Sequence, residues 1–501
     1  MKPYFLGIDI GTSRIKAGVV DRTGKLLGSR SVAVPSEFES DGRARQSADE
    51  LLDLVRRVIP LACEAVSIIP GEIAAIGIDG QMGGIIGVDD TFTAITGMDL
   101  GLDLAAERIN EDAHASFGER LLAISCGSPR NAPKIAWWKQ RHPEVYRRVR
   151  RFTTIGGYVA GTLSGLPGDE ACIDETLIAY FGNEDARGRC WSDELNRGWD
   201  IDADKLPHIR RPTDVIGTLS RDAAGTTGLR AGTPIVAGAG DQPAGYLGGG
   251  FETTGTVIDV GGSTTMLSMC VDEFRPDPGG ELMFIPAVTA GTYYATWYIN
   301  GGGMVIPWFA NLMGDANVLA ELEKPVRDLA PGSDGLLFSP YFGGRQCPYS
   351  RRMRGAWVGL NWGHGRAHML RAIFESIAAE YARGYDAFDR VYPGVGVDHT
   401  ETMGGATANR ALLEIKAALL GRTLTVHRDF DASVRGSAIL AGIGVGAFNL
   451  DTVSSPDPDE TDERIVPDPE VVRAYSPTRR RYRTLYEKSL TEVFSEPDLT
   501  D

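Results

Sequence analysis

The segment Asp9-Ile10-Gly11-Thr12-Ser13, with Lys16 just beyond it, ends an apolar run in a glycine turn bordered by hydroxyls and a cation. Glycine in a hairpin lets backbone N–H groups face an anion with no β-carbon in the way. Thr12 and Ser13 add hydroxyl donors and Lys16 adds a positive charge, a set suited to phosphate. Asp9 can hold a hydrated Mg2+ beside such phosphates, because that ion takes one or two carboxylates together with phosphate and water. A plain hairpin would use the same residues. A second run, Gly261-Gly262-Ser263-Thr264, follows Asp259 in the same manner. Two such hairpins facing across a cleft would hold a triphosphate from both sides.

Asp241 follows a short apolar strand, with Gly240 before it and Gln242-Pro243 after it. A carboxylate at the end of a strand, in a glycine-lined loop, is a candidate base for a hydroxyl. It is equally placed to be a helix cap or a turn aspartate. Gly404-Gly405 ahead of Asn409 forms a strand–glycine–helix junction, where a flat base could lie on backbone and Asn409 could hydrogen-bond it. Glycines at a helix start are also common without any ligand.

These residues need elements to hold them. Apolar runs at 5–10, 15–20 and 26–34, separated by turn residues, predict a three-strand meander. A helix is expected over 47–65, a buried strand over 73–78, helices over 132–139 and from 143, and a short strand over 235–239. The pattern then restarts with strands at 255–259, 264–271 and 292–299 and a helix from about 307. A long helix is predicted over 367–391, and another over 409–420 with Gly421 just past its end. Asp9 and Asp259 lie 250 residues apart, half the length of a 501-residue chain, which suggests two similarly built halves. Chance likeness of two glycine turns is the competing reading. Alternating strands and helices, with antiparallel hairpins opening each half, make the fold α/β with mixed sheets. Residues 451–468 are acidic and proline-rich and read as an exposed connection, followed by one terminal helix over 469–494.

Composition excludes several classes. The 43% hydrophobic and 24% charged residues are ordinary for a globular chain. The net charge of −16 argues against a nucleic-acid or anionic-membrane footprint, and the basic runs 147–151 and 479–483 read as solvated helix faces. Six scattered cysteines form no CxxC and no disulfide framework. No signal peptide and no 18-residue apolar window is present, so a soluble, cytoplasmic protein is expected. There is no GxxxxGK[ST] and no GxGxxG opening a helix. The 62 glycines, about 12% against a typical ~7%, mean either low complexity or backbone crowding a ligand.

Taken in order, DIGTSRIK, DGQM, GAGDQPAG, DVGGSTT and MGGATANRALLEIKAALLGR resemble the FGGY family of carbohydrate kinases, in its xylulokinase-like branch, over about residues 4 to 448. The runs 335–340 and 371–376 add to the likeness. The resemblance implies two actin-like (ribonuclease H-like) domains, each a mixed sheet flanked by helices, closing over ATP and a sugar. The halves would be 1–247, for the sugar, and 253–450, for the nucleotide, with 451–501 as a tail and Gly248-Gly249-Gly250 as a hinge. It places Asp241 on the catalytic base and Asp9, with Mg2+, beside the phosphates. Thr12, Ser13 and Lys16 fall on the first phosphate loop and Gly261, Gly262 and Ser263 on the second. Gly303, Gly404, Gly405 and Asn409 fall where adenosine binds, and Gln81, Met82, Asp103 and Gln242 on the sugar side.

The sequence departs from the family at the sugar. The pattern Gln-Met-His-Gly reads Gln81-Met82-Gly83-Gly84; Trp-x-Asp-x-Arg reads Gly101-Leu102-Asp103-Leu104-Ala105; and a Glu-Arg pair reads Gly344-Arg345. Asp79-Gly80-Gln81-Met82 stands where glycerol kinases carry Asn-Gln-Arg-Glu, which disfavours glycerol. The implied activity is phosphoryl transfer from ATP to a ketopentose such as xylulose or to a related polyol. The expected partner is that small molecule, with no nucleic acid and no membrane, and a homodimer is compatible with the reading. An actin-like nucleotide-binding sensor or assembly factor is the alternative.

Overall fold

The computed structural model describes residues 4–35, 37–38, 44–100, 104–262, 265–299, 302–314, 317–345, 348–350, 352–397, 399–427, 431–450 and 463–494. The first sheet is built from β1 (Tyr4–Ile10), β2 (Arg14–Val20), β3 (Leu26–Ala33), β4 (Ile73–Gly80), β5 (Val215–Thr218), β6 (Pro234–Val236) and β7 (Ala239–Gly240). Its order is β5-β6-β4-β1-β2-β3, with β7 also paired to β4. β1 runs antiparallel to β2 and parallel to β4. That register sets Asp9 opposite Lys16 on one side and Asp79 on the other.

The second sheet contains β8 (Val257–Gly261), β9 (Thr265–Val271), β10 (Met283–Pro286), β11 (Tyr293–Ile299), β12 (His399–Met403), β13 (Thr423–Val426) and β14 (Glu463–Ile465). Its order is β10-β11-β9-β8-β12-β13-β14. β8 is antiparallel to β9 and parallel to β12, which repeats the pairing of β1 with β2 and β4. The half-length repeat read from Asp9 and Asp259 is therefore a topological repeat.

Six helices matter for the site: α1 (Ala48–Ala65), α2 (Asp241–Gly249), α3 (Val305–Met313), α4 (Arg366–Val391), α5 (Arg410–Leu420) and α6 (Ala432–Gly444). α1 starts where Ser47 accepts from the Glu50 N–H, and it buries Leu51, Leu54, Val55, Val58, Ile59 and Ala62 at helical spacing. α5 is capped by Asn409 and ends at left-handed Gly421, as its sequence predicts. α4 buries arginines and glutamates as well as its apolar face, each paired: Arg371 with Glu375 and Arg383 with Glu380.

α6 follows β13 of the second sheet in sequence but packs on β1 and β4 of the first. Strand glycines make this possible: a β-carbon at Gly7 or Gly77 would overlap the carbonyl oxygens of Val434 and Ser437. α2 and α6 also meet backbone to backbone, since a β-carbon at Gly248 would overlap the Ala432 carbonyl and one at Gly436 the Ala244 carbonyl. This corrects the hinge expected at 248–250. Gly248 and Gly249 lie inside α2 as contact residues, and Gly250 is its left-handed cap.

Other expectations change in detail. The terminal helix is broken into Pro469–Ala474, Ser476–Thr484, a π turn Leu485–Ser489 and Leu490–Val493. Pro477, lacking an N–H, cannot continue the ladder across Tyr475. The helix Leu104–Ile124, kinked at Phe117, went unread because its apolar face is weak. The run 147–151 is only in part a helix face: the helix stops at Arg148, and Arg151 donates to the carbonyls of Asp169 and Leu206. Residues between β4 and β5 also reach the second half, where Arg189 donates to the Thr292 carbonyl at 2.7 Å and Tyr293 Oη to the Ala186 carbonyl at 2.9 Å.

Candidate active site

The ends of β1, β4 and β7 converge. Parallel pairing aligns Asp9 with Asp79, and Ala239 with Asp79, so the chain delivers Asp241 beside both aspartates as the first residue of α2. Asp79 is fully buried; its Oδ2 accepts from Ser437 Oγ on α6 at 2.6 Å and its Oδ1 finds no donor. Burial first, then the charge of Asp9, push the Asp79 carboxyl well above the usual carboxylate range. Burial also raises Asp9, against the pull of Lys16. Asp241 is pushed up to about 7, by burial and then by the Asp9 charge, with its Oδ1 accepting from the Gln242 N–H at 2.8 Å. Three mutually repelling carboxyls make this a site short of positive charge.

Lys16 is the nearby cation on β2. Its Nζ donates at 2.8 Å to Asp431, just before α6, and Asp431 also accepts from Ser29 Oγ. Burial works against the Lys16 charge, but the bond and charge of Asp431 outweigh it and hold the ammonium form. Lys16 is thus positioned by a residue 415 positions away in sequence.

The first glycine turn is tied to the proposed sugar side. Thr12 Oγ1 donates to Gln81 Oε1 at 3.2 Å, Gln81 Nε2 donates to Gln46 Oε1 at 2.9 Å, and Gln46 Nε2 returns to the Thr12 carbonyl at 2.8 Å. Ser13 is exposed on the same turn. Met82 is buried against Gly240. A β-carbon at Gly83 would meet one atom within 4 Å, on Tyr180, so this position opens toward that ring. Burial first, then Tyr298 and Asp241, raise the Tyr180 hydroxyl far above its ordinary value, which puts Tyr180 and Tyr298 in the electrostatic range of Asp241. Gln242 donates to Met266 Sδ on β9, and its Oε1 is buried without a partner.

On the opposite side, two predicted glycine sites come together. Gly404 has φ +87°, and a β-carbon there would sit 2.8 Å from the Gly261 carbonyl oxygen, so β8 and the turn after β12 touch through backbone. Gly262 continues past β8, Gly405 opens the short helical turn Gly405–Ala408, and Gly303 lies in the turn before α3. Asn409 Oδ1 accepts from the Leu412 N–H at 2.9 Å. Ser263 and Asp103 lie outside the described residues. Asp259, the positional twin of Asp9, is fully buried and bonded to Lys416 Nζ at 2.5 Å and to the Tyr381 hydroxyl. The repeat therefore kept its geometry while one aspartate became a core ion pair.

Sequence reasoning missed Gln46, Tyr180, Tyr298 and Asp431. None sits in a glycine motif, and only the pairing of distant segments brings them in. Asp79 opens the quoted motif DGQM, and its place one strand over from Asp9 could have been inferred from parallel β pairing. Among the described residues, no group of three or more His, Cys, Asp or Glu side chains could enclose a metal by itself. No helix among them is long and apolar enough to cross a membrane.

Two sheets of matching strand order, joined by α2 and α6 and lined at their strand ends by glycine turns, define a duplicated ribonuclease H-like (actin-like) protein of two α/β domains. The chain belongs to the FGGY family of carbohydrate kinases, matching the family's N-terminal domain over residues 4–248 and its C-terminal domain over 256–445. It is an ATP-dependent carbohydrate kinase, so the sensor or assembly reading falls away. A xylulose kinase of Bacillus subtilis (strain 168) is 27% identical over 454 residues, 89% of each chain. Among solved structures, a gluconate kinase from Lactobacillus acidophilus superposes with TM-score 0.88 at 24% identity over 99% of both chains. A xylulose kinase from Rhodospirillum rubrum gives TM-score 0.87 at 23% identity, over 98% of this chain and 100% of its own.

Proposed function

We propose that the protein transfers the γ-phosphate of ATP to a hydroxyl of a ketopentose such as xylulose or of a related polyol, with Asp241 as the base. The observation that carries this is the placement of Asp241: it is the first residue of α2, delivered by β7 beside the end of β4, with its carboxyl pushed up to about 7 by burial and with Tyr180 in its electrostatic range. A base with that pKa accepts a hydroxyl proton at neutral pH without being a strong base in the resting state. Phosphoryl transfer has a loose transition state, so positioning and charge stabilisation carry most of the rate. Asp241 orients the sugar hydroxyl and takes its proton. Lys16 and the N–H groups around Gly11 and Gly261 meet the phosphate charge. Gly404, Gly405, Gly303 and Asn409 would seat the adenosine. Closure of the halves would exclude water from the transfer.

Mg2+ fits this site. The donorless buried oxygen of Asp79 and the raised Asp9 and Asp241 carboxyls leave unbalanced negative charge that a divalent ion would offset. Asp9, with Asp79 behind it, would hold the ion, and one or two carboxylates suit an ion that keeps waters and phosphates as its other ligands. Bound there, Mg2+ neutralises charge on the transferring phosphate. Relatives named for xylulose and for gluconate set the panel for the test: ADP release with ketopentoses, polyols, deoxy sugars and aldonates. A ketopentose or polyol should raise ADP release well above the rate in water. A response confined to aldonates, or none, would refute the proposed substrate class.

A further inference from the structure

Asp241 is placed by the backbone before it, and that backbone is gripped from an unexpected direction. The Gly240 N–H donates at 2.8 Å to Thr176 Oγ1, 64 residues earlier. Thr176 Oγ1 in turn donates at 2.5 Å to Asp174 Oδ1, which also accepts the Thr176 N–H at 2.8 Å. Asp174 closes the short strand Cys172–Asp174, is fully buried, and leaves its Oδ2 without a donor. Among the described residues no cation is paired with it. Capping the Glu175–Tyr180 turn through the Thr176 N–H occupies Oδ1 and leaves Oδ2 unused. Burying that oxygen unpartnered is costly, and a hydroxyl alone could cap the turn.

We propose that Asp174 and Thr176 are positioning residues for Asp241, the carboxylate orienting the threonine hydroxyl so that its lone pair faces the Gly240 N–H. A free hydroxyl rotor could turn its hydrogen toward Gly240 and lose the bond. With its hydrogen committed to Asp174, it can only accept. Gly240 has no side chain to steer it, because a β-carbon there would overlap Met82. The bond to Thr176 therefore sets the angle at which α2 starts and where its first carboxylate points. The inference rests on Asp241 being the base.

The test compares wild type with Thr176→Val, which keeps shape and removes the hydroxyl, and Thr176→Ser, which keeps the hydroxyl. Amide exchange at Gly240 is read by mass spectrometry, and ADP release with whichever sugar of the panel wild type accepts. Thr176→Val should exchange Gly240 roughly ten-fold faster and lose roughly ten-fold or more in kcat, with KM for ATP within about two-fold. Thr176→Ser should restore both readouts. Unchanged Gly240 exchange in Thr176→Val, wild-type kcat in that variant, or a serine variant as impaired as valine would each overturn the relay. If wild type accepts no sugar at all, the proposed function fails, and the exchange comparison still decides the relay.

Discussion

Replacing Asp241 by asparagine should lower activity and raise stability together, in a pH-dependent way. Its carboxyl moves from an ordinary 3.8 to about 7 because it is buried beside Asp9. A group whose folded pKa is raised keeps its proton in the fold when the unfolded chain has lost it. Its ionisation then favours unfolding, an effect that grows as pH climbs from about 4 to 7 and is constant above. A rise of that size corresponds to about 4 kcal/mol at most. The Asp241 residue as a whole keeps partial contact with solvent, so water screens part of this, and roughly 1–2 kcal/mol is expected to survive. Asparagine carries no charge and escapes the penalty. Asp241→Asn should therefore gain thermal stability over wild type at pH 8 and gain less at pH 5, without nucleotide or Mg2+. The same variant should bind nucleotide and lose at least ~10²-fold in kcat, the scale of general-base catalysis. Melting curves at the two pH values and the coupled ADP assay measure both. Wild-type-like turnover would refute the base, and a stability gain equal at pH 5 and pH 8 would refute the electrostatic account.

The kcat/KM for the accepted sugar should rise with pH through about 7 as Asp241 loses its proton; a flat profile from pH 5.5 to 8.5 would count against it. Lys416→Met leaves Asp259 buried and unpaired, so it should cost ~3–5 kcal/mol in denaturant unfolding, and adding Asp259→Asn should return part of the loss. Gly436→Ala forces a methyl onto the Ala244 carbonyl and should cost roughly 1–3 kcal/mol by the same measurement; a neutral result would mean α2 and α6 can separate without consequence. Gln81→Ala cuts the link from Thr12 to Gln46, and should raise KM for the sugar several-fold and disturb ATP binding less.

Local chemistry alone determined much of this protein. β1, α1, α4 and α5 fall where apolar spacing and caps placed them, because an amphipathic pattern has one good way to bury its face. The glycine turns were legible for a similar reason: Gly404, at φ +87°, stands where a side chain would be strained and would crowd Gly261. The repeat of Asp9 at Asp259 was readable as spacing, since both halves lay down the same hairpin. What it meant was not. Whether an aspartate faces a cleft or a buried lysine depends on Lys416, 157 residues away. The same holds for Lys16 with Asp431, Gln81 with Gln46, and Gly240 with Thr176. Glycines 248 to 250 read as a hinge from sequence, whereas packing sets Gly248 against the α6 backbone at Ala432 and Gly249 against Phe251. Side-chain type and local spacing decide which elements form. Only packing brings distant chain together and settles which charges are buried, paired or left to meet a ligand.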